Sequence, residues 1–240
     1  MSPYTPAARG DHGRTVDLLV PVKSLARAKT RLRGAADNGV GDPGAHARLA
    51  MAMVRDTLAV ARSAPGVRRV FVVTSDPEVT GALAADVPTL PDHPQRGLNE
   101  ALRHAAELLR AEPGPRAPLG ALQADLPALR AEELAEAVAT SLSAFRAGLA
   151  ERAFCPDAGG TGTTLLLCTA DTELDPEFGP DSAAAHQRGG ALRLTGRWPG
   201  LRRDVDTPED LRAAAALGLG ENTRATLGHV TPIRARPDGL

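Results

Sequence analysis

Aromatic residues are nearly absent from this chain: Phe, Tyr and Trp together make up 2% of its 240 residues. That removes the stacking platforms on which single-stranded nucleic acid is usually held. Positive charge is not in excess either, since the formal net charge is −1. The electrostatic footprint of a nucleic-acid binder is therefore missing. Cysteine occurs only as Cys155 and Cys168, each inside an apolar run and without metal-ligand spacing, so both are expected as buried, reduced thiols. The six histidines are scattered, and no Ser-His-Asp or Cys-His arrangement suggests a covalent nucleophile. No apolar run approaches the roughly 20 residues that cross a bilayer. Residues Met1 to Arg14 are polar, without the apolar stretch of a secretion signal. The expectation is a cytoplasmic protein with neither membrane nor nucleic-acid partners.

Lysine is scarce too, and its placement is informative. Among 28 basic residues only Lys23 and Lys29 are lysines, and both follow the first apolar run, Val16 to Val22. An ammonium group in a first strand-to-helix loop can meet phosphate oxygens as a compact point charge. Two solvated surface lysines are the plainer alternative. Their restriction to one loop of an arginine-biased chain favours phosphate chemistry.

A chain of this length can bury one sizeable α/β core. Residues 1–14 read as a disordered lead, 15–220 as a single domain, and 221–240 as a poorly specified tail. Inside the domain, strand and helix patterns alternate. Strands are expected over Val16–Val22, Val67–Thr74, Asp86–Leu90, Pro118–Gln123, Ala153–Cys155, Thr163–Cys168 and Ala191–Thr195. Helices are expected over Ala26–Leu32, Ala45–Ser63, Leu98–Ala111, Ala131–Arg146, from Ser182, and over Thr207–Leu217. Leu102, Ala105, Leu108 and Leu109 should face inward from the Leu98 helix. This order implies a three-layer α/β/α architecture with a mostly parallel sheet. The shorter late connections add some antiparallel pairing, giving a mixed sheet.

In such sheets ligands bind at the carboxyl ends of the strands, and several chemistry-bearing residues fall there. Asp125, in Gln-Ala-Asp-Leu-Pro, follows an apolar strand and stands too early to cap the Ala131 helix. A half-buried carboxylate there is costly unless paired or bound to a cation. Asp204 and Asp206 alternate across Val205, so an extended chain turns both to one side. Asp206 has an alternative use as the cap of the helix at Thr207. Ser75, in Thr-Ser-Asp, can offer a hydroxyl to a base or ribose, although simple helix capping explains the triplet adequately and is the favoured reading. Gly97 precedes a helix start, and Asn99 could bond a base edge or simply occupy the first turn. Gly159-Gly160-Thr161-Gly162-Thr163 is a Gly-rich turn leading into a strand; it lacks the lysine of a P-loop and the following helix of a dinucleotide site. Phe178-Gly179-Pro180-Asp181-Ser182 is a second turn, at a helix start, where Asp181 or Ser182 could be a plain cap. His186 and Arg188 could add charge on that helix.

Taken in order, Val-Pro-Val-Lys-Ser-Leu-Ala-Arg-Ala-Lys-Thr-Arg-Leu, Thr-Ser-Asp, Gly-Leu-Asn, Ala-Asp-Leu-Pro, Gly-Thr-Gly-Thr-Thr, Phe-Gly-Pro-Asp-Ser and Asp-Val-Asp-Thr-Pro-Glu-Asp-Leu resemble the guanylyltransferases of coenzyme F420 biosynthesis. The resemblance spans about Asp17 to Leu219. It implies a nucleotidyltransferase fold that is glycosyltransferase-A-like and Rossmann-like, and a reaction coupling GTP to a phosphorylated three-carbon acid with Mg²⁺. By the same resemblance Asp125 and Asp204 carry Mg²⁺ with Asp206 nearby, and Lys23 and Lys29 neutralise the GTP phosphates. Lys23, Ser75, Gly97 and Asn99 then serve the nucleotide, while Thr163, Gly179 and Ser182 hold the acid. The catalytic set would be Lys23, Lys29 and Asp125. The forms of the two glycine turns resemble members that use phosphoenolpyruvate more than those that use 2-phospho-L-lactate. Pro156-Asp157-Ala158 departs from the pattern, because a basic residue is expected near the acid. Other readings are a cytidylyl- or molybdopterin-type transferase and a non-catalytic nucleotide-binding module. A homodimer, and hand-off of product to a downstream F420 biosynthesis transferase, are further implied partnerships.

Overall fold

The computed structural model describes residues 15–23, 32, 35, 41–93 and 96–228. The expected short helix over Ala26–Leu32, and with it Lys29, lies outside the described residues apart from Leu32.

The first strand, β1 (Val16–Pro21), is buried at five of its six positions. Residues there alternate between two cores, as successive side chains of a strand must. Leu18 and Val20 join one apolar cluster, and Leu19 joins another on the opposite face. Helix α1 (Pro43–Ser63) begins with Pro43 at its first position, and the Asp42 carboxylate accepts the Gly44 and Ala45 N–H groups. Such a cap satisfies two donors that a helix start otherwise leaves open. Strand β2 (Val67–Thr74), helix α2 (Pro77–Leu83) and strand β3 (Thr89–Pro91) follow. Next come α3 (Leu98–Arg110), β4 (Leu119–Leu122), α4 (Ala131–Arg146), β5 (Arg152–Pro156) and β6 (Thr163–Cys168). The chain then makes α5 (Ser182–Arg188), β7 (Leu192–Arg193), α6 (Pro208–Leu217) and α7 (Glu221–Gly228).

These strands form one seven-stranded sheet in the order β3-β2-β1-β4-β6-β5-β7. Only β6 runs against its neighbours: it pairs antiparallel with both β4 and β5, while every other pairing is parallel. The mixed, mostly parallel sheet is therefore as expected. Residues of α1 and α4 pack against one face, including Leu58, Leu134 and Val138. On the other, α3 and α5 contribute Leu102, Ala105 and Ala183 beside Phe71, Phe154 and Leu166. Leu108 does not join them; it is one of the exposed large apolar residues.

Residues 221–228, expected as part of a tail, form a docked helix. Helix α7 docks on α1, because the buried Asp56 carboxylate caps it, accepting the Asn222 N–H at 2.9 Å and the Thr223 N–H at 2.8 Å. The cap lies 166 residues upstream, so nothing local in the sequence announces this helix. Among the described residues no helix is long and apolar enough to cross a membrane. Both cysteines are buried, and burial pushes each thiol up to about 11.

Candidate active site

The sheet topology gathers the candidates along one rim. Because β1, β2, β3 and β4 are parallel, the residues following them, including Lys23, Ser75, Asp92 and Asp125, stand at the same edge. Because β6 is antiparallel to β4, its first residue, Thr163, comes to that edge as well: Leu122 pairs with Leu165, and the Gln123 N–H donates to the Thr164 carbonyl at 2.9 Å. The turn between β5 and β6, carrying Gly159 to Gly162, must lie there too.

The two acidic segments meet. The Val205 N–H donates to the Asp125 carbonyl at 3.1 Å, so Asp204 is brought beside the residue that follows β4. Asp125 and Asp204 are half-buried, and Asp206 is exposed. Asp206 is not the helix cap. That part is played by Thr207, which accepts the Asp210 N–H while the Asp210 carboxylate receives the Thr207 N–H in return. Among the described residues no group of three or more His, Cys, Asp or Glu side chains is placed to hold a cation alone. Two carboxylate-bearing segments joined through their backbones nonetheless suit Mg²⁺, which keeps several waters and takes one or two carboxylates together with substrate phosphates.

Both segments are anchored by residues that sequence patterns did not single out. In α1, the Thr57 hydroxyl donates to the Met53 carbonyl and accepts the Leu126 N–H at 3.1 Å, fixing the residue after Asp125. In α4, the Glu133 carboxylate accepts the Gly200 N–H at 3.1 Å and the Leu201 N–H at 2.9 Å. A Cβ on Gly200 would stand 2.2 Å from the Ala128 carbonyl oxygen, so only glycine fits where this loop crosses α4's approach. The loop is thereby held where it delivers Asp204. These anchors join residues 67 to 69 positions apart, a separation invisible to local pattern reading.

Thr163, Gly179 and Ser182 also converge. The Ala183 N–H donates to the Thr161 carbonyl at 2.9 Å, and the Ser182 N–H to the Gly179 carbonyl at 3.2 Å. Thr163 and Ser182 are buried, and Gly179 is exposed with φ +135°, a backbone that an L side chain rarely adopts. The two non-glycine residues with positive φ among those described, Asp175 and Asp181, both lie in this segment. Asp181 precedes α5 in the left-handed conformation and makes no capping bond through its side chain, so plain capping does not describe it.

Asn99 takes a different place from the one expected of it. Its amide oxygen accepts the Phe178 N–H at 2.8 Å and its amide N–H donates to the Phe178 carbonyl at 3.0 Å. The side chain is thus a clamp on the Phe178–Ser182 turn rather than a group turned to a base edge. At the second strand, Asp76 caps α2 and Ser75 is left exposed. Gly97 directly precedes α3, and Lys23 is exposed just past β1. The basic groups missing near Asp157 arrive from downstream. Arg202 donates to the Pro156 and Asp157 carbonyls at 3.2 and 3.1 Å, and Arg193 to the Gly160 carbonyl at 3.2 Å.

No family model matches the chain. It is 51% identical over 231 residues to a phosphoenolpyruvate guanylyltransferase of Geodermatophilus obscurus, covering 94% of this chain and 98% of that one. It is 47% identical over 222 residues to the enzyme of the same name from Salinispora arenicola, covering 91% and 96%. Among solved structures, a 4-diphosphocytidyl-2C-methyl-D-erythritol synthase aligns with TM-score 0.54 at 16% identity, over 85% of this chain and 98% of that one. A CMP:2-keto-3-deoxy-manno-octonic acid synthetase complexed with CTP aligns with TM-score 0.51 at 16% identity, again over 85% and 98%. At such identity these two bear on the fold alone.

Proposed function

This chain belongs to the phosphoenolpyruvate guanylyltransferase family, and from that premise we propose that it transfers the guanylyl group of GTP to phosphoenolpyruvate, giving enolpyruvyl-diphospho-guanosine and pyrophosphate in coenzyme F420 biosynthesis. The observation that carries the reading from fold to chemistry is the Val205–Asp125 hydrogen bond, which sets two acidic segments together at the ligand edge of the sheet.

In this reading a phosphate oxygen of phosphoenolpyruvate forms a bond to the α-phosphorus of GTP as the α–β bridge breaks, and pyrophosphate leaves with the bond pair. The attacking phosphate is already ionised near neutral pH, so no general base is required. Consistent with that, the site presents carboxylates, hydroxyls and a lysine, and among the described residues no activated nucleophile. Asp125 and Asp204 are the side chains that would hold Mg²⁺, with Asp206 nearby. When bound, the cation would supply charge neutralisation for phosphate oxygens. Lys23 serves the triphosphate from the end of β1, with Lys29 assigned the same part on sequence grounds. Ser75 and Gly97 face the nucleoside. Thr163, Gly179 and Ser182 bind the acid, with Arg193 and Arg202 supplying positive charge behind the Asp157–Gly160 turn. Catalysis is then positioning together with charge stabilisation.

The test is pyrophosphate release from GTP and Mg²⁺ with phosphoenolpyruvate and 2-phospho-L-lactate in parallel, and CTP as an alternative donor. Release with GTP and phosphoenolpyruvate alone is expected. Release only with 2-phospho-L-lactate would overturn the acceptor, release with CTP the donor, and GTP binding without release from either acid the transferase reading itself.

A further inference from the structure

His186, expected to add charge on its helix, is instead buried and bonded to Thr163, one of the residues assigned to the acid. The residue is 3% exposed. It packs against Phe154 at 5.8 Å between centroids and edge-on against Phe178 at 5.4 Å. The partners of its two nitrogens decide where its proton lies. The Glu177 backbone N–H points at Nε2 from 3.0 Å. A backbone N–H can only donate, so Nε2 carries the lone pair and the neutral ring keeps its proton on Nδ1. Nδ1 stands 2.9 Å from the Thr163 Oγ1. The ring therefore donates to the Thr163 hydroxyl oxygen.

A hydroxyl that accepts through its oxygen directs its own proton to some other acceptor. We infer that His186 is a positioning residue: it fixes the Thr163 hydroxyl as a hydrogen-bond donor and presents that donor to an anionic oxygen of the acid substrate. The inference rests on the proposed contact between Thr163 and the acid. Oriented this way, the hydroxyl makes a charge-assisted bond to a carboxylate or phosphate oxygen. Turned the other way, it would set lone pairs against the anion.

The surroundings hold the ring neutral. Burial lowers its pKa to about 4. Asp175, from the segment before α5, favours the charged ring, and Arg152 on β5 opposes it; these two groups stand 3.9 Å apart and partly offset each other. A protonated ring would also set Nε2–H against the Glu177 N–H. That N–H is in turn held in place, since Asn99 grips the backbone of the next residue, Phe178, from both sides.

Two measurements on the full chain test this. Nitrogen-15 NMR of the imidazoles should show His186 as the neutral Nδ1–H tautomer from about pH 6 to 8, without a midpoint near 6.5. An Nε2–H tautomer, or a midpoint near 6.5, overturns the inference without any variant being made. In steady-state pyrophosphate release, His186→Phe keeps the ring packing and removes both nitrogens. It should raise KM for phosphoenolpyruvate about tenfold, as loss of an oriented bond to a charged group does, and leave KM for GTP within about twofold. His186→Asn, whose amide N–H falls near the Nδ1 position, should recover most of the loss. The double variant His186→Phe/Thr163→Val should be no worse than Thr163→Val alone, because His186 acts through that hydroxyl. Additive losses, equal rises in both KM values, or no effect of His186→Phe beside a clear effect of Thr163→Val would overturn the inference on its own. If Thr163→Val leaves KM for phosphoenolpyruvate unchanged, the contact between Thr163 and the acid fails, and this inference with it.

Discussion

Replacing Thr57 by Val removes a single hydroxyl from α1 and leaves a side chain of nearly the same shape. Thr57 is fully buried, so no cavity opens and no surface charge changes. What is lost is the acceptor of the Leu126 N–H, 3.1 Å away in an equally buried setting. A buried donor left without an acceptor costs about 1–3 kcal/mol, more than the net worth of an ordinary hydrogen bond, because it was stripped of water on folding and receives nothing in exchange. For a chain of this size that corresponds to a fall in Tm of about 3–10 °C. Leu126 adjoins Asp125, so the same change loosens the first acidic segment, and kcat/KM should fall by about tenfold or more as positioning degrades. Thr57→Ser keeps the hydroxyl and loses only a methyl, so it should retain most of the activity and cost about 1 kcal/mol. Thermal unfolding and pyrophosphate release on the three proteins check this. If Thr57→Val unfolds with the wild type and turns over normally, or if Thr57→Ser is equally damaged, the hydroxyl does not anchor the Asp125 segment.

Asp125→Asn should lower kcat by about 100-fold or more while moving Tm by no more than about 2 °C, since the change is isosteric and at the ligand edge; activity near wild type would remove Asp125 from the site. Asp17→Asn should do the reverse. Asp17 is buried on β1 and bonded to Arg68 and Arg69 at 2.6 Å each, and this pairing raises the Arg69 pKa further above its ordinary value. The substitution should cost about 2 kcal/mol in denaturant titration with KM values unchanged, because it weakens the pairing of two half-buried guanidinium groups at the opposite end of the strand from the site, where Arg69 keeps Glu112 as a partner. Stability should also fall as pH drops from about 6.5 towards 4. His186 takes up its proton more readily unfolded than folded, so acid favours the unfolded chain across that window, by at most about 3 kcal/mol. Denaturant titrations of wild type and His186→Asn between these pH values check the assignment, and equal slopes in the two proteins would refute it.

Much of the fold could be read from the chain itself. Val67–Thr74, Ala131–Arg146 and Thr163–Cys168 have in the structure the bounds that their apolar patterns imply. Their signals are local: burial on both faces of a sheet writes a continuous apolar run, and a helix writes its own period. The strand-end aspartates and the two glycine turns were legible for the same reason, since a carboxylate after an apolar strand or a glycine before a helix is a local anomaly. Helix α7 was not legible, because its cap is Asp56 in a different helix. Nor was the true employment of Asn99, whose amide could serve a base or a backbone with equal chemistry until the fold brought Phe178 to it.

The sequence by itself determined which elements form, which residues interrupt them, and the kinds of group available for chemistry. Only the tertiary structure decided what those groups face. The antiparallel setting of β6 brings Thr163 to the rim that Asp125 occupies. The clamps from Thr57 and Glu133 fix the two acidic segments, and the Glu177 N–H and Thr163 hydroxyl come to opposite nitrogens of the buried His186 ring. Each of these depends on at least one partner more than twenty residues away. A hydrogen bond is specified by position and direction in space, and linear order carries neither.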